Sequence, residues 1–190
     1  MKTIKILILI TFASISLNSC KYECPGFDKS LLVWIPQEYG NEIKFTNNDN
    51  SDTLVFIVNK KEYTNSYMTE RQNKKSCDAI ASLGAKNNFS NSNFHISIYN
   101  PYNSDIGIST YIYLIEEQLK KKGEQSISFL NINEIKEPIV INSKTYNAII
   151  IENDTLINQN EIYKIILAEN YGLLKFYEKS GIEWTLEKCK

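Results

Sequence analysis

The stretch EIYKIILAENYGLLKFYEKSGIEWTLEK, residues 161–188, decides the fold. It holds three short runs rich in Ile, Leu, Tyr and Phe, separated by Asn170-Tyr171-Gly172 and by Ser180-Gly181. β-Branched and aromatic residues suit a pleated, half-buried surface. Glycine takes the positive φ that tight hairpin turns require. The last run alternates, with Ile182, Trp184 and Leu186 facing one way and Glu183, Thr185 and Glu187 the other. These features predict an antiparallel three-stranded meander.

The same reading extends upstream. VINSKTYNAIIIEN (140–153) predicts a hairpin whose return strand is Thr145–Glu152, and SISFL (126–130) predicts a strand. NFHISIYN (93–100) alternates with Phe94, Ile96 and Ile98 on one side, and IGISTYIYLI (106–115) does so through Ile106, Ile108, Ile112 and Leu114. EIKFTNNDNSDTLVFIV (42–58) predicts strands Glu42–Thr46 and Thr53–Val58 around a polar turn. Asn59–Met68 is ambiguous, and KKSCDAIASLG (74–84) fits a short helix or a strand equally well. The charged EEQLKKKGEQ (116–125) reads as a solvated loop. No long helical period stands out. The expected fold is all-β and mainly antiparallel: a curved sheet, half-barrel or sandwich of about nine to ten strands.

The beginning of the chain carries a different signal. Lys2 and Lys5 precede an apolar run from Ile6 to Ala13, which matches a signal-peptide core and is shorter than the roughly 20 residues of a membrane span. Leu17-Asn18-Ser19-Cys20 resembles the lipobox of bacterial lipoproteins, although Asn18 departs mildly from the commonest pattern. That resemblance implies cleavage before Cys20, a diacylglycerol thioether on its sulfur and usually an acyl (palmitate-type) chain on its new amine. Two or three chains hold a protein on a membrane where one does not. Ser14 and Ser16 would instead allow cleavage after Ser16 and plain secretion. On the lipoprotein reading, residues 1–19 are the signal peptide, 20–30 the lipid anchor and tether, and 31–190 a single β-rich domain.

NSKTYNAIIIEN and the closing meander also resemble the C-terminal half of a family of small, β-rich lipoproteins of Bacteroidota, with Ser143 where that pattern has glycine. WIPQEYGNEIKF (34–45) resembles its N-terminal half. The resemblance implies an envelope address, with the outer membrane as the expected site and its face left open. It brings no catalytic residues. The order of Tyr-rich strand, Gly turn and Trp strand also resembles lipoprotein-carrier half-barrels.

Composition narrows the function classes. The chain has 21 Lys+Arg and 22 Asp+Glu; losing Lys2 and Lys5 leaves 19 against 22, a net charge of −3. That near-neutral balance gives no case for nucleic acid. With Cys20 lipidated, three cysteines remain for one bridge. Cys24–Cys77 is favoured, with Cys77–Cys189, Cys24–Cys189 and no bridge as alternatives.

Chemistry-bearing residues are few. His95, the only histidine, cannot build a metal site alone. A thiol–imidazole pair with Cys77 or Cys24 would make a nucleophile. Glu116, Glu117, Glu134, Glu152, Asp154 and Glu161 could supply a hydrolase's two carboxylates only if the fold converges them. NNDNSD (47–52) lacks a calcium-loop pattern and reads as a polar hairpin loop. No catalytic residue, metal ligand or cofactor is assigned. Asp52-Thr53-Leu54 and Asp154-Thr155-Leu156 resemble the O-glycosylation acceptor of Bacteroidota, at Thr53 and Thr155. Tyr111, Tyr113, Tyr146, Tyr163, Tyr171 and Tyr177 are candidates for an aromatic platform, and Trp34, Tyr39, Tyr99 and Tyr102 for its binding face. The expected function is a non-catalytic, membrane-tethered binding or scaffolding module with an envelope protein or glycan as partner. The alternative is a carrier of lipid or another apolar ligand in a half-barrel cavity, which a filled interior would argue against. Third comes a hydrolase.

Overall fold

The computed structural model describes residues 24, 26–38, 40–71, 74–88, 90–100, 105–116, 119–129, 135–152 and 162–187. Side chains of 65–76, 78, 116 and 119–129 are not described. The protein is all-β. A short 3₁₀ helix (Lys29–Trp34) precedes strands β1 (Glu42–Asn47), β2 (Thr53–Arg71), β3 (Lys74–Lys86), β4 (Asn93–Tyr99), β5 (Ile106–Glu116) and β6 (Leu119–Phe129). Then come β7 (Glu137–Ile141), β8 (Lys144–Glu152), β9 (Ile162–Ala168), β10 (Gly172–Glu178) and β11 (Glu183–Leu186). All eleven belong to one sheet in the order β6-β5-β4-β3-β2-β1-β11-β10-β9-β8-β7.

Every neighbour pair is antiparallel, and every pair but one joins strands consecutive in the chain. The exception is β1 with β11, where Phe45 faces Leu186 and Asn47 faces Trp184. This seam fuses two meanders into one sheet. The sheet is not closed into a barrel, since β6 and β7 remain its two edges. It curls far enough to bring β6 against β8 and β9.

Alternation along the strands fills the inside of the curl. Ile43 and Phe45 of β1, Phe56 and Val58 of β2, Leu83 of β3, Phe94, Ile96 and Ile98 of β4, and Ile108, Ile112 and Leu114 of β5 share one core with Ile149, Ile165, Phe176 and Trp184. Aromatic rings run through it. Phe176 stacks on Trp184 with centroids 6.1 Å apart, Phe45 meets Phe176 edge-on at 5.3 Å, and Phe56 meets Phe94 at 5.2 Å. Such arrangements suit the quadrupoles of the rings. Phe27, Leu31, Trp34 and Ile35 enter the same core from the 3₁₀ segment. The helix is started by Asp28, whose carboxylate accepts from the Ser30 amide at 2.9 Å.

Two expectations change here, and two open readings close. The charged EEQLKKKGEQ is not a loop, because residues 119–125 open β6 and pair in register with β5 from Glu116↔Leu119 onward. Lysines on an edge strand discourage pairing with other chains, so the composition is that of an edge. KKSCDAIASLG is a strand throughout, and Asn59–Met68 continues β2. Trp34 is not part of a binding face: at 1% exposure it is a core residue, since a 3₁₀ turn drives it into the sheet. Packing also begins before residue 31, at the buried Phe27.

Cys24 and Cys77 form a disulfide, with Cα atoms 5.5 Å apart. It fastens the start of the described chain to β3.

Candidate functional site

The outer face of the second meander differs from an ordinary solvated face. Ala148, Ile166, Ala168 and Leu174 are buried there, under Ile139, Ile141, Tyr146, Ile150, Tyr171 and Tyr177. Two local irregularities build this layer. A β-bulge between Leu173 and Lys175 turns both Leu174 and Lys175 outward, while Leu173 and Phe176 stay in the core. A two-residue turn, Asn142 at φ 49° and Ser143 at φ 62°, joins β7 to β8. It sets Lys144 and Tyr146 on the outer face, opposite Ile141 and Ile139.

Tyrosines and lysines cap the layer. Tyr146 and Tyr171 meet edge-on with centroids 5.1 Å apart. The Lys144 ammonium lies 5.2 Å from the first ring centre and 4.7 Å from the second, and it donates to the Tyr171 hydroxyl. That hydroxyl is the main reason the Lys144 pKa stands above its ordinary value. Lys175 sits over Tyr177 at 4.6 Å and bonds Glu183 at 2.5 Å. Burial pulls its pKa down, but Glu183 and Tyr177 outweigh burial and the net shift is upward. Lys164 pairs with Glu152 at 2.9 Å, and this carboxylate raises the lysine's pKa.

Two open clefts of about 530 Å³ each adjoin this layer. One is walled by Pro36, Gln37, Asn41 and Asn170, the other by the β1–β2 loop and the β7–β8 turn. Tyr171, Leu186 and Glu187 line both. Gln37 is held from one side, its Nε2 donating to the Tyr171 carbonyl. Its Oε1 is buried without a hydrogen-bond partner among the described residues. Gly172, at φ 68°, makes room: a Cβ there would meet the Gln37 amide at 2.6 Å.

The sequence candidates scatter. Tyr99 is 43% exposed on β4, in the other meander, while Tyr39 and Tyr102 lie outside the described residues. Cys20, Cys189 and Thr155 also lie outside them. Thr53 is exposed at the start of β2, its amide donating to the Asp52 carboxylate at 2.8 Å. The NNDNSD loop satisfies itself: Asp49 accepts from the Ser51 amide at 3.0 Å and from its hydroxyl at 2.6 Å, which lowers the Asp49 pKa.

The thiol–imidazole pair does not form. Cys77 is bonded to Cys24, and His95 pairs in register with Gly84, seven residues or about 23 Å along β3 from Cys77. His95 instead lies with its Nδ1 3.2 Å from the Ser97 hydroxyl. Of the acids singled out in the sequence, Glu152 is engaged by Lys164, and the side chains of Glu116, Glu117, Glu134, Asp154 and Glu161 lie outside the description. Among the described residues no group of three or more His, Cys, Asp or Glu is placed to hold a metal. No described helix is long and apolar enough to cross a membrane.

Tyr146 and Tyr171 were legible as strand or turn tyrosines but not as a pair. Their meeting depends on β8 and β9 aligning, and the bulge that turns Leu174 outward shows in the sequence only as a break in the alternation of LLKF. Comparison with protein-family models, curated proteins and solved structures finds no match to this chain.

Proposed function

We propose that the protein is a cell-envelope lipoprotein, anchored through Cys20, whose β-domain is a non-catalytic binding or scaffolding module. The observation that carries the binding half is the outer face of β7–β11. It combines a buried apolar layer, a cap of tyrosines and lysines, and two clefts that meet at Tyr171. The inside of the curl, where a carrier would hold its cargo, is filled by rings from five strands. This favours a surface that docks a partner over a cavity that carries an apolar ligand.

The anchor half rests on the lipobox-like sequence, and the disulfide agrees with an oxidising, exported location. Intact mass of the protein extracted with detergent from its own membranes tests it. The expected mass is Cys20–Lys190 plus acyl chains, and a Cys20→Ser chain should leave the membrane fraction. A bare chain beginning at Leu17 would overturn the anchor.

A further inference from the structure

We infer that the two clefts form one continuous site for a neutral oligosaccharide, with Tyr171 at its centre. The inference deepens the binding-module reading and rests on it. Three observations point to this ligand class.

The first is charge. Lys175 is matched by Glu183, and Lys44 by Glu42 at 2.8 Å. Lys144 spends its ammonium on two ring faces and a phenol, and the remaining acid, Glu187, balances it within the second cleft. A lining with lysine and glutamate in step offers an anionic ligand no net attraction.

The second is the polar lining, which is rich in amides. Gln37, Asn41 and Asn170 stand in the first cleft, and Asn48, Asn50 and Asn142 in the second. An amide donates and accepts at once, as a sugar hydroxyl does, so the two classes match without charge. Gln37 Oε1 is the sharpest case. It is an acceptor with no donor among the described residues, beside the cleft it lines. Buried acceptors are ordinarily paired.

The third is the shared aromatic. Tyr171 lines both clefts and meets Tyr146 edge-on, with Lys144 on its hydroxyl and over one face of its ring. The C–H faces of a pyranose suit such a ring. Two clefts that share one tyrosine suit a linear chain of several sugars better than a single ring.

Titration calorimetry of the full chain in detergent tests this. The probes are linear tetrasaccharides of β-1,4-linked glucose and of β-1,4-linked N-acetylglucosamine, with tetragalacturonate as the acidic comparator. At least one neutral tetrasaccharide should bind and the acidic one should not. Tyr171→Ala should weaken binding about tenfold and Gln37→Leu about threefold. Tyr99→Ala, on the other meander, should leave it unchanged. Should Tyr171→Ala fail to fold, Gln37→Leu and the exposed turn variant Asn142→Ala decide. Binding of none of the three probes, binding of the acidic one alone, or equal weakening by Tyr99→Ala would overturn the inference. If no sugar binds yet a photo-crosslinker at position 146 captures a defined envelope protein, the saccharide falls and the module reading stands. Cleavage of a tetrasaccharide during the titration, read by mass spectrometry, would overturn the non-catalytic reading instead.

Discussion

Ser143 holds a left-handed backbone, φ 62°, beside Asn142 at φ 49°. A two-residue hairpin turn of this hand is most easily made by Asn-Gly, because a Cβ in left-handed backbone costs roughly 1–2 kcal/mol. Ser143→Gly should therefore raise stability by about 1 kcal/mol, read from the denaturation midpoint. An unchanged or lower midpoint would count against the turn. His95 makes a second residue-scale case. Burial first, and the nearby Lys60 second, push its pKa below the ordinary 6.5. The folded state thus binds a proton less readily than the unfolded chain. The contribution is complete above about pH 6.5 and is lost as pH falls through the folded value. The melting temperature should decline more steeply below about pH 6.5 in the wild type than in His95→Gln. Parallel profiles would refute this. Glu169 titrates in the same sense but lower, since Asn147 and then Lys136 hold it below its usual 4.5. At this scale the turns were legible because Asn and Gly announce them. Trp34 was not, because a tryptophan reads alike whether its place is a core or a face.

Strands reveal how far alternation carries. β4 and β11 were legible because apolar and polar residues alternate along them, and β5 because Ile106, Ile108, Ile112 and Leu114 keep the same period. β6 was not, since an edge strand with one free side can hold lysines and still complete a ladder. β10 hides its bulge for a different reason: Leu173 and Leu174 are equally apolar, and only the register with β9 puts Leu174 and Lys175 on the same face. The β10–β11 hairpin has its own lock. Glu178 is buried inside it, accepting from the Trp184 indole at 2.8 Å and from the Ser180 hydroxyl at 3.0 Å. Glu178→Leu leaves the indole N–H unpaired in the core and should cost about 2 kcal/mol, whereas Glu178→Gln keeps an acceptor and should cost less. Chemical denaturation of both variants checks the order. Equal losses would mean that the lock is not a hydrogen bond.

The seam between β1 and β11 is what the sequence does not announce. Every other pairing joins strands consecutive in the chain, while this one joins strands near the two ends of the described chain. All-β and antiparallel were therefore readable, and so were most strands. The candidate site was not, because it lies where β1 meets β8, β10 and β11, and the seam alone brings β1 to the other three. Long-range closure is also what the disulfide assists. Cys24 and Cys77 are 53 residues apart, and such a cross-link typically adds about 2–4 kcal/mol. Cys24→Ala should lower stability by that amount. A loss below about 0.5 kcal/mol would mean that the core already fixes this segment.

The same bond sets a height. On the proposed anchor only Lys21, Tyr22 and Glu23 separate the lipid-bearing residue from Cys24, so the leash spans about 14 Å at full stretch. Cut the bridge and the first fixed point becomes Phe27, which lengthens it to about 25 Å. On that anchor an oxidised molecule would ride close to the headgroups and sweep a thin layer above them. Reduction would let it stand off and reach ligands that the short leash denies it.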